Sequence, residues 1–217
     1  MGNYDIVLFD LDGTLTDPKL GITKSVQHSL RHFGIIEDNL DDLVKFIGPP
    51  LRDSFPEYYG FGEAQTELAV EKYREYFSVT GMYENTVYPM IPELLQELID
   101  NKKRLIIATS KPTVFADKIL KHFNLHKYFE FISGSNLDGS RDKKSEVIFH
   151  AFKECRLAPS DKMVMIGDRK HDLIGAKEAG IDSIGVLYGY GSMEELQKEY
   201  PIHIVDDVSD LRKILME

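Results

Sequence analysis

The chain has 217 residues, with 36 acidic against 26 basic side chains and a formal charge of −10. That length suits one large domain or a domain carrying a smaller insertion, and the 42 % hydrophobic content excludes intrinsic disorder. The negative balance disfavours nucleic acid and anionic membrane as partners, and a single cysteine, Cys155, fits a reducing, cytoplasmic setting with no internal disulfide.

The first expected element is a strand over residues 5–9, built on Ile6-Val7-Leu8-Phe9 and closed by the turn-forming Asp12-Gly13. Such a run is far short of the ~20 apolar residues that span a bilayer. Asp5 and Asp10 flank it, which is not the basic-then-apolar order of a signal peptide. Next, Ile22, Val26, Leu30 and Phe33 recur at helical spacing until Gly34, and further helices are expected near 40–47, 51–59 and 63–78. From residue 88 onward the pattern changes. Apolar strands are expected at 104–108, 163–166 and 183–187, with weaker candidates at 129–132 and 202–205. Between them lie helical stripes: Leu94, Leu95, Leu98 and Ile99; then Ile119, Leu120 and Phe123; then residues 145–155 and 171–179. Alternation of this kind predicts an α/β fold with a doubly wound, mostly parallel, Rossmann-like sheet. Residues 1–16 and 84–217 form its core, and 17–83 form a small all-helical cap inserted after the first strand.

Ligands of open α/β sheets bind at the carboxyl ends of the strands, so the residues there carry the chemistry. The first strand delivers Asp10 and Asp12, two carboxylates that repel unless a cation or proton separates them. Mg²⁺ is the natural candidate, being a hard ion that takes one or two carboxylates together with water and phosphate oxygens. Alone, Asp12-Gly13 would mean only an acidic turn. A calcium loop fails, because Gly21 stands where its bidentate Glu belongs. After the 163–166 strand come Asp168, able to complete a metal site, and Asp172, placed either to orient ligands or to cap the next helix. The 104–108 strand runs into Thr109-Ser110-Lys111-Pro112, where a hydroxyl and helix-start N–H groups suit a phosphate oxygen or simply cap a helix. Arg141-Asp142-Lys143-Lys144 brings a lysine before another helix, as a phosphate ligand or as solvated surface. In the helical insertion, Ile47-Gly48-Pro49-Pro50-Leu51-Arg52 is the stretch expected over a substrate, with Arg52 either its anionic anchor or an ordinary solvent-facing side chain. The Gly189-x-Gly191 pair is too short for a dinucleotide fingerprint.

In combination, Asp10-x-Asp12-x-Thr14, Thr109, Lys144 and Gly167-Asp168-x-x-x-Asp172 resemble the haloacid dehalogenase-like hydrolases over the whole chain. The insertion is similar to the helical cap of the phosphoglycolate phosphatase and β-phosphoglucomutase branch. The 108–112, 167–172 and 185–191 stretches look most like bacterial proteins labelled 5′-nucleotidases or phosphoglycolate phosphatases. Arg141-x-x-Lys144-x-Glu146-Val147-Ile148 favours Lys144 over Lys143 as the phosphate lysine, and Pro89-Met90 departs from the usual Pro-Gly. The resemblance implies a Mg²⁺-dependent phosphatase that hydrolyses small phosphate monoesters. Asp10 would be the nucleophile that forms an aspartyl-phosphate, and Asp12 the general acid–base. Asp10, Asp12 (through its carbonyl) and Asp168 would hold the metal, while Thr109, Ser110 and Lys144 bind phosphate and Asp172 supports them. The alternatives are a β-phosphoglucomutase-like phosphomutase and a non-enzymatic phosphoacceptor or binding domain. The expected partner is a small-molecule phosphate monoester, with the protein a monomer or homodimer, without nucleic acid or membrane.

Overall fold

A computed structural model describes residues 4–160 and 162–216, and the chain divides into two compact units, Pro18–Thr86 and Met1–Asp17 with Val87–Glu217. The larger unit is a six-stranded sheet in the order β5-β4-β1-β6-β7-β8, every pairing parallel. Its strands are β1 (Ile6–Phe9), β4 (Arg104–Pro112), β5 (Phe131–Ser135), β6 (Met163–Gly167), β7 (Asp182–Val186) and β8 (His203–Val205). The helices α4 (Ile91–Asp100), α5 (Thr113–His122), α6 (Lys144–Cys155), α7 (Lys170–Ala179), α8 (Met193–Gln197) and α9 (Val208–Met216) alternate with them. Two short strands, β2 (Thr16–Asp17) and β3 (Thr86–Val87), pair where the chain passes from one unit to the other. This is the expected α/β architecture with a doubly wound parallel sheet.

β1 lies mid-sheet between β4 and β6 because all four of its residues are apolar and fully coverable, and each is buried. Side chains alternate between the faces of a strand. Ile6, Leu8, Ile106, Ala108, Met163 and Met165 therefore share one face, where Val147, Ile148, Ala151 and Phe152 of α6 and Ala176 and Ala179 of α7 cover them. At the carboxyl end the Asp10 N–H still donates to the Ile166 carbonyl at 2.9 Å, which carries the rigidity of the ladder one residue further.

The sequence pattern errs in detail. β4 runs on through Ser110-Lys111-Pro112, with a register irregularity between Thr109 and Pro112, so Thr109 sits in a bulged strand and α5 starts only at Thr113. Ile99 is exposed on α4, and Phe123 caps α5 beyond its last turn. The strands expected at 129–132 and 202–205 are β5 and β8, shifted to 131–135 and 203–205.

The smaller unit is α1 (Lys19–His32), α2 (Leu51–Tyr59) and α3 (Glu63–Phe77), with a 3₁₀ run over Leu40–Phe46 instead of the α-helix expected there. Asn39 starts that run by accepting the Asp41 N–H at 3.1 Å, and Gly48-Pro49-Pro50 keeps it from propagating. Gly60, at φ +67°, ends α2 in the left-handed conformation. The interior is aromatic: Phe46 meets Phe55 at 5.1 Å between ring centres, and Phe61 stacks on Phe55 at 5.9 Å.

Candidate active site

Burying a charge is costly unless it is paired or used. Among the described residues the buried charged side chains are Asp10, Asp12, Lys111, Lys144, Asp168 and Asp172, and all belong to the larger unit. They converge at the carboxyl ends of β1, β4 and β6.

Lys144, the first residue of α6, is the hub. Its ammonium contacts Asp10 Oδ1 at 2.9 Å and Asp172 Oδ1 at 2.8 Å, and donates to the Ala108 carbonyl at 3.0 Å. Burial alone would disfavour the charged amine, but the two carboxylates outweigh it and raise its pKa above the ordinary lysine value. Lys143 is an exposed N-cap residue of α6, so of the two lysines it is Lys144 that enters the cluster. Gly175 of α7 makes room for it, since a Cβ there would lie 2.6 Å from Lys144 Cγ.

Asp172 spends both oxygens on positioning: Oδ1 on Lys144, and Oδ2 on the Arg169 N–H at 3.1 Å, which also caps α7. Asp172 thus contacts Lys144 and caps α7 at once. Its carboxyl is raised to about 6, chiefly by burial, with Lys144 pulling the other way.

Asp168 is fully buried. Its Oδ2 accepts the Tyr190 N–H at 2.8 Å, and Thr14 Oγ1 lies 3.4 Å from Oδ1. Burial first, then the charges of Asp172 and Asp10, push its pKa well up. Glycines close around it: a Cβ on Gly13 (φ +80°) would meet Asp168 Oδ2 at 2.2 Å, one on Gly189 its Cβ at 2.4 Å, and one on Gly191 its carbonyl at 2.0 Å. The Tyr188 hydroxyl donates to the Thr14 carbonyl at 3.1 Å, and that of Tyr190 donates to Asp17 Oδ1. The loop after β7 thereby holds both the Asp168 side chain and the turn after Asp12.

Asp12 faces the other buried lysine. Lys111 Nζ contacts Asp12 Oδ2 at 2.7 Å, while Asp12 Oδ1 is buried with no hydrogen-bond partner. Burial raises the Asp12 pKa, and Lys111 opposes it. Thr109 is buried on β4, its Oγ1 accepting the Lys111 N–H at 3.3 Å. Ser110 is half-buried, and its carbonyl accepts from Ser135 Oγ at 2.8 Å. Arg52 belongs to the helical unit and forks onto Glu67 of α3 at 2.6 and 2.8 Å, an ion pair the sequence did not suggest.

The arrangement suits a divalent cation. One oxygen from each of Asp10, Asp168 and Asp172 falls within a 4.8 Å cluster, and buried acidic side chains outnumber buried lysines four to two among the described residues. An all-oxygen donor set without His or Cys is the hard kind that Mg²⁺ prefers. Asp172, with both oxygens engaged, serves better as support than as ligand.

Sequence reasoning missed Lys111, Gly189, Gly191, Tyr188 and Tyr190. Lys111 stood in a quoted motif without a role, and the glycine pair was weighed as a nucleotide-binding fingerprint and quoted within the 185–191 stretch, again without a role at the site. A glycine pair following a buried strand, read as room for another loop, was the available signal.

Comparison with known proteins settles the family. The model of the haloacid dehalogenase-like hydrolases matches residues 7–186. The chain belongs to that family. A 5′-nucleotidase of Pseudomonas aeruginosa is 50 % identical over 212 residues, which cover 98 % of this chain and 96 % of that one. The tyrosine-protein kinase PtkA of Mycobacterium tuberculosis is 40 % identical over 193 residues, 89 % of this chain and 65 % of the relative. Among solved structures, a "predicted phosphatase" from Clostridium acetobutylicum superposes with a TM-score of 0.95 at 50 % identity, covering 98 % of both chains. The haloacid dehalogenase-like hydrolase fold thus extends over nearly the whole chain.

Proposed function

We propose that this haloacid dehalogenase-like hydrolase is a Mg²⁺-dependent phosphatase of small phosphate monoesters, working through an aspartyl-phosphate on Asp10. The observation that carries the reading is the confinement of all buried charge among the described residues to one cluster, with one oxygen of Asp12 left unpaired. Asp10 Oδ attacks phosphorus and the ester P–O bond breaks, while the Asp12 carboxyl hands its proton to the departing oxygen. Asp12 then takes a proton from water as that water attacks phosphorus and the bond to Asp10 breaks. Lys144 steadies Asp10 and balances charge on the phosphoryl oxygens, which Thr109 and Ser110 also approach. Asp10, Asp168 and the Asp12 carbonyl would hold Mg²⁺, whose chemistry is to neutralise charge developing on the transferring group.

An Asp12 oxygen held without a partner favours general acid–base work, and so an enzyme over a phosphoacceptor domain. The 5′-nucleotidase relative makes nucleoside 5′-monophosphates the first substrates to test, with phosphoglycolate and a phosphomutase activity behind them. Turnover of these phosphates should stop on chelation and return with Mg²⁺. Ca²⁺ should inhibit, because its looser coordination disturbs in-line placement of Asp10. Full activity in excess chelator would overturn the metal assignment.

A further inference from the structure

We infer that Lys111 is a positioning residue for the general acid, holding one oxygen of Asp12 so that the other points at the leaving group. The inference rests on the phosphatase reading above and adds to it a residue which that reading does not use.

Three observations meet at Lys111. First, the ion pair is buried and short, 2.7 Å from Nζ to Oδ2, with side chains 5 % and 10 % exposed. A lysine placed only to attract anions from solvent would not need such burial. Second, the partnership is one-sided. Lys111 engages Oδ2 and leaves Oδ1 buried without a partner, although an unsatisfied buried oxygen is costly to the fold. Folding alone gives no return for such an atom, whereas a proton transfer to a bound ester needs it. Third, the backbone is shaped to deliver this side chain. β4 loses register between Thr109 and Pro112, the Lys111 N–H donates to Thr109 Oγ1 at 3.3 Å, and Ser135 Oγ braces the Ser110 carbonyl at 2.8 Å. Gly134 on β5 lets the bulge approach, because a Cβ there would lie 2.4 Å from the Lys111 carbonyl. Without the bulge, strand alternation would place Lys111 on the same face as Thr109.

The two buried lysines thus divide the work. Lys144 holds the nucleophile Asp10 and its support Asp172, while Lys111 holds the acid. During ester cleavage the proton on Asp12 moves to the leaving oxygen as its bond to phosphorus breaks and that from Asp10 forms. Lys111 transfers nothing. It fixes the carboxyl plane and balances the carboxylate that remains.

A leaving-group comparison separates this role from phosphate binding. An alkoxide needs protonation to leave, and a dinitrophenolate does not. In Lys111→Met, kcat/KM, which reports the step up to ester cleavage, should fall ~10²-fold or more for a nucleoside 5′-monophosphate, and less than ~10-fold for 2,4-dinitrophenyl phosphate. On an Asp12→Asn background the same substitution should add little further loss for the nucleotide, since Lys111 acts through Asp12. Equal losses on both phosphates would assign Lys111 to phosphate binding or to the fold and overturn the inference. So would unchanged kcat/KM on both, or losses that multiply with Asp12→Asn. If Lys111→Met does not fold, as thermal melting would show, Lys111→Gln is read by the same criteria. A wild-type protein that cleaves neither phosphate would instead sink the phosphatase reading itself, and this inference with it.

Discussion

The two units handle charge in opposite ways. In the α/β unit Asp10, Asp12, Lys111, Lys144, Asp168 and Asp172 are buried together, and the carboxylates there carry raised pKa values at Asp12, Asp168 and Asp172. In the helical unit no Asp, Glu, Lys or Arg is buried. Its ion pairs, among them Lys19–Asp41, Lys24–Glu84, Arg52–Glu67 and Lys72–Glu75, join residues that are exposed or only half-buried, and Phe46, Phe55 and Phe77 lie in its interior. One unit is a conventional hydrophobic core with solvated charges. The other keeps an electrostatically unfavourable cluster at the mouth of a rigid sheet, which stability alone would not select. The contrast locates function without reference to any relative.

The largest effect that sharpens this contrast is on turnover. Asp10→Asn removes the oxygen proposed as nucleophile and one of the crowded carboxylates, so phosphatase activity should vanish while the thermal unfolding transition stays cooperative. Retention of more than a few per cent of activity in clean protein would break the assignment.

Stability comes next. Lys144→Met leaves Asp10 and Asp172 buried without their cation, and should cost about 3–5 kcal/mol in urea unfolding. Arg52→Ala removes a surface pair and should cost about 0–1 kcal/mol. Similar losses from the two would show that the units do not differ as claimed.

A pH effect of smaller size follows from Asp172. Its pKa is raised in the folded state to about 6 from an ordinary 3.8, so between those values the native protein binds more protons than the unfolded chain. This group's stabilising contribution is therefore fully present below pH ~4 and lost as pH rises through ~6. Metal-free protein should melt higher at pH 5 than at pH 7.5, by roughly 3–10 °C for the 1–3 kcal/mol involved. Mg²⁺ should recover part of that loss at pH 7.5. A melting point that rises with pH across this window would contradict the buried acidic cluster as its source.

The smallest expected effect concerns specificity. If Arg52 anchors an anionic or carboxylate group of the substrate, Arg52→Ala should lower kcat/KM for the natural phosphate more than for an aryl phosphate lacking that group. Equal losses, or none, would leave Arg52 a partner of Glu67 and not of the substrate.

Much of this was legible because the site hangs on buried strands. Ile6–Phe9 and Met163–Ile166 are continuous apolar runs, so Asp10, which follows its run directly, and Asp168, which follows after one glycine, announce themselves. Other features depend on contacts that periodicity does not encode. The β4 bulge that delivers Lys111 to Asp12 is a register shift against β5, and the run Leu105–Ala108 carries no trace of it. Gly13 and the Gly189–Gly191 pair come from distant parts of the chain, and what they share is close approach to one residue, Asp168, at its side chain or its backbone carbonyl. Glu67 stands fifteen residues from Arg52 on another helix, so the sequence left open whether Arg52 pairs with protein or substrate. α8 escaped notice because five residues give too little periodic signal, and α9 escaped it although Val208, Leu211 and Leu215 mark a buried stripe.

The central claim is that the buried charges exist to move a phosphoryl group through Asp10, and trapping that group tests it most directly. Enzyme mixed with labelled substrate and Mg²⁺, acid-quenched within one turnover and mapped by mass spectrometry, should carry one base-labile phosphoryl on Asp10. The label should be absent from Asp10→Asn. Turnover without any phosphoenzyme, or a phosphoryl on another residue, would contradict the account.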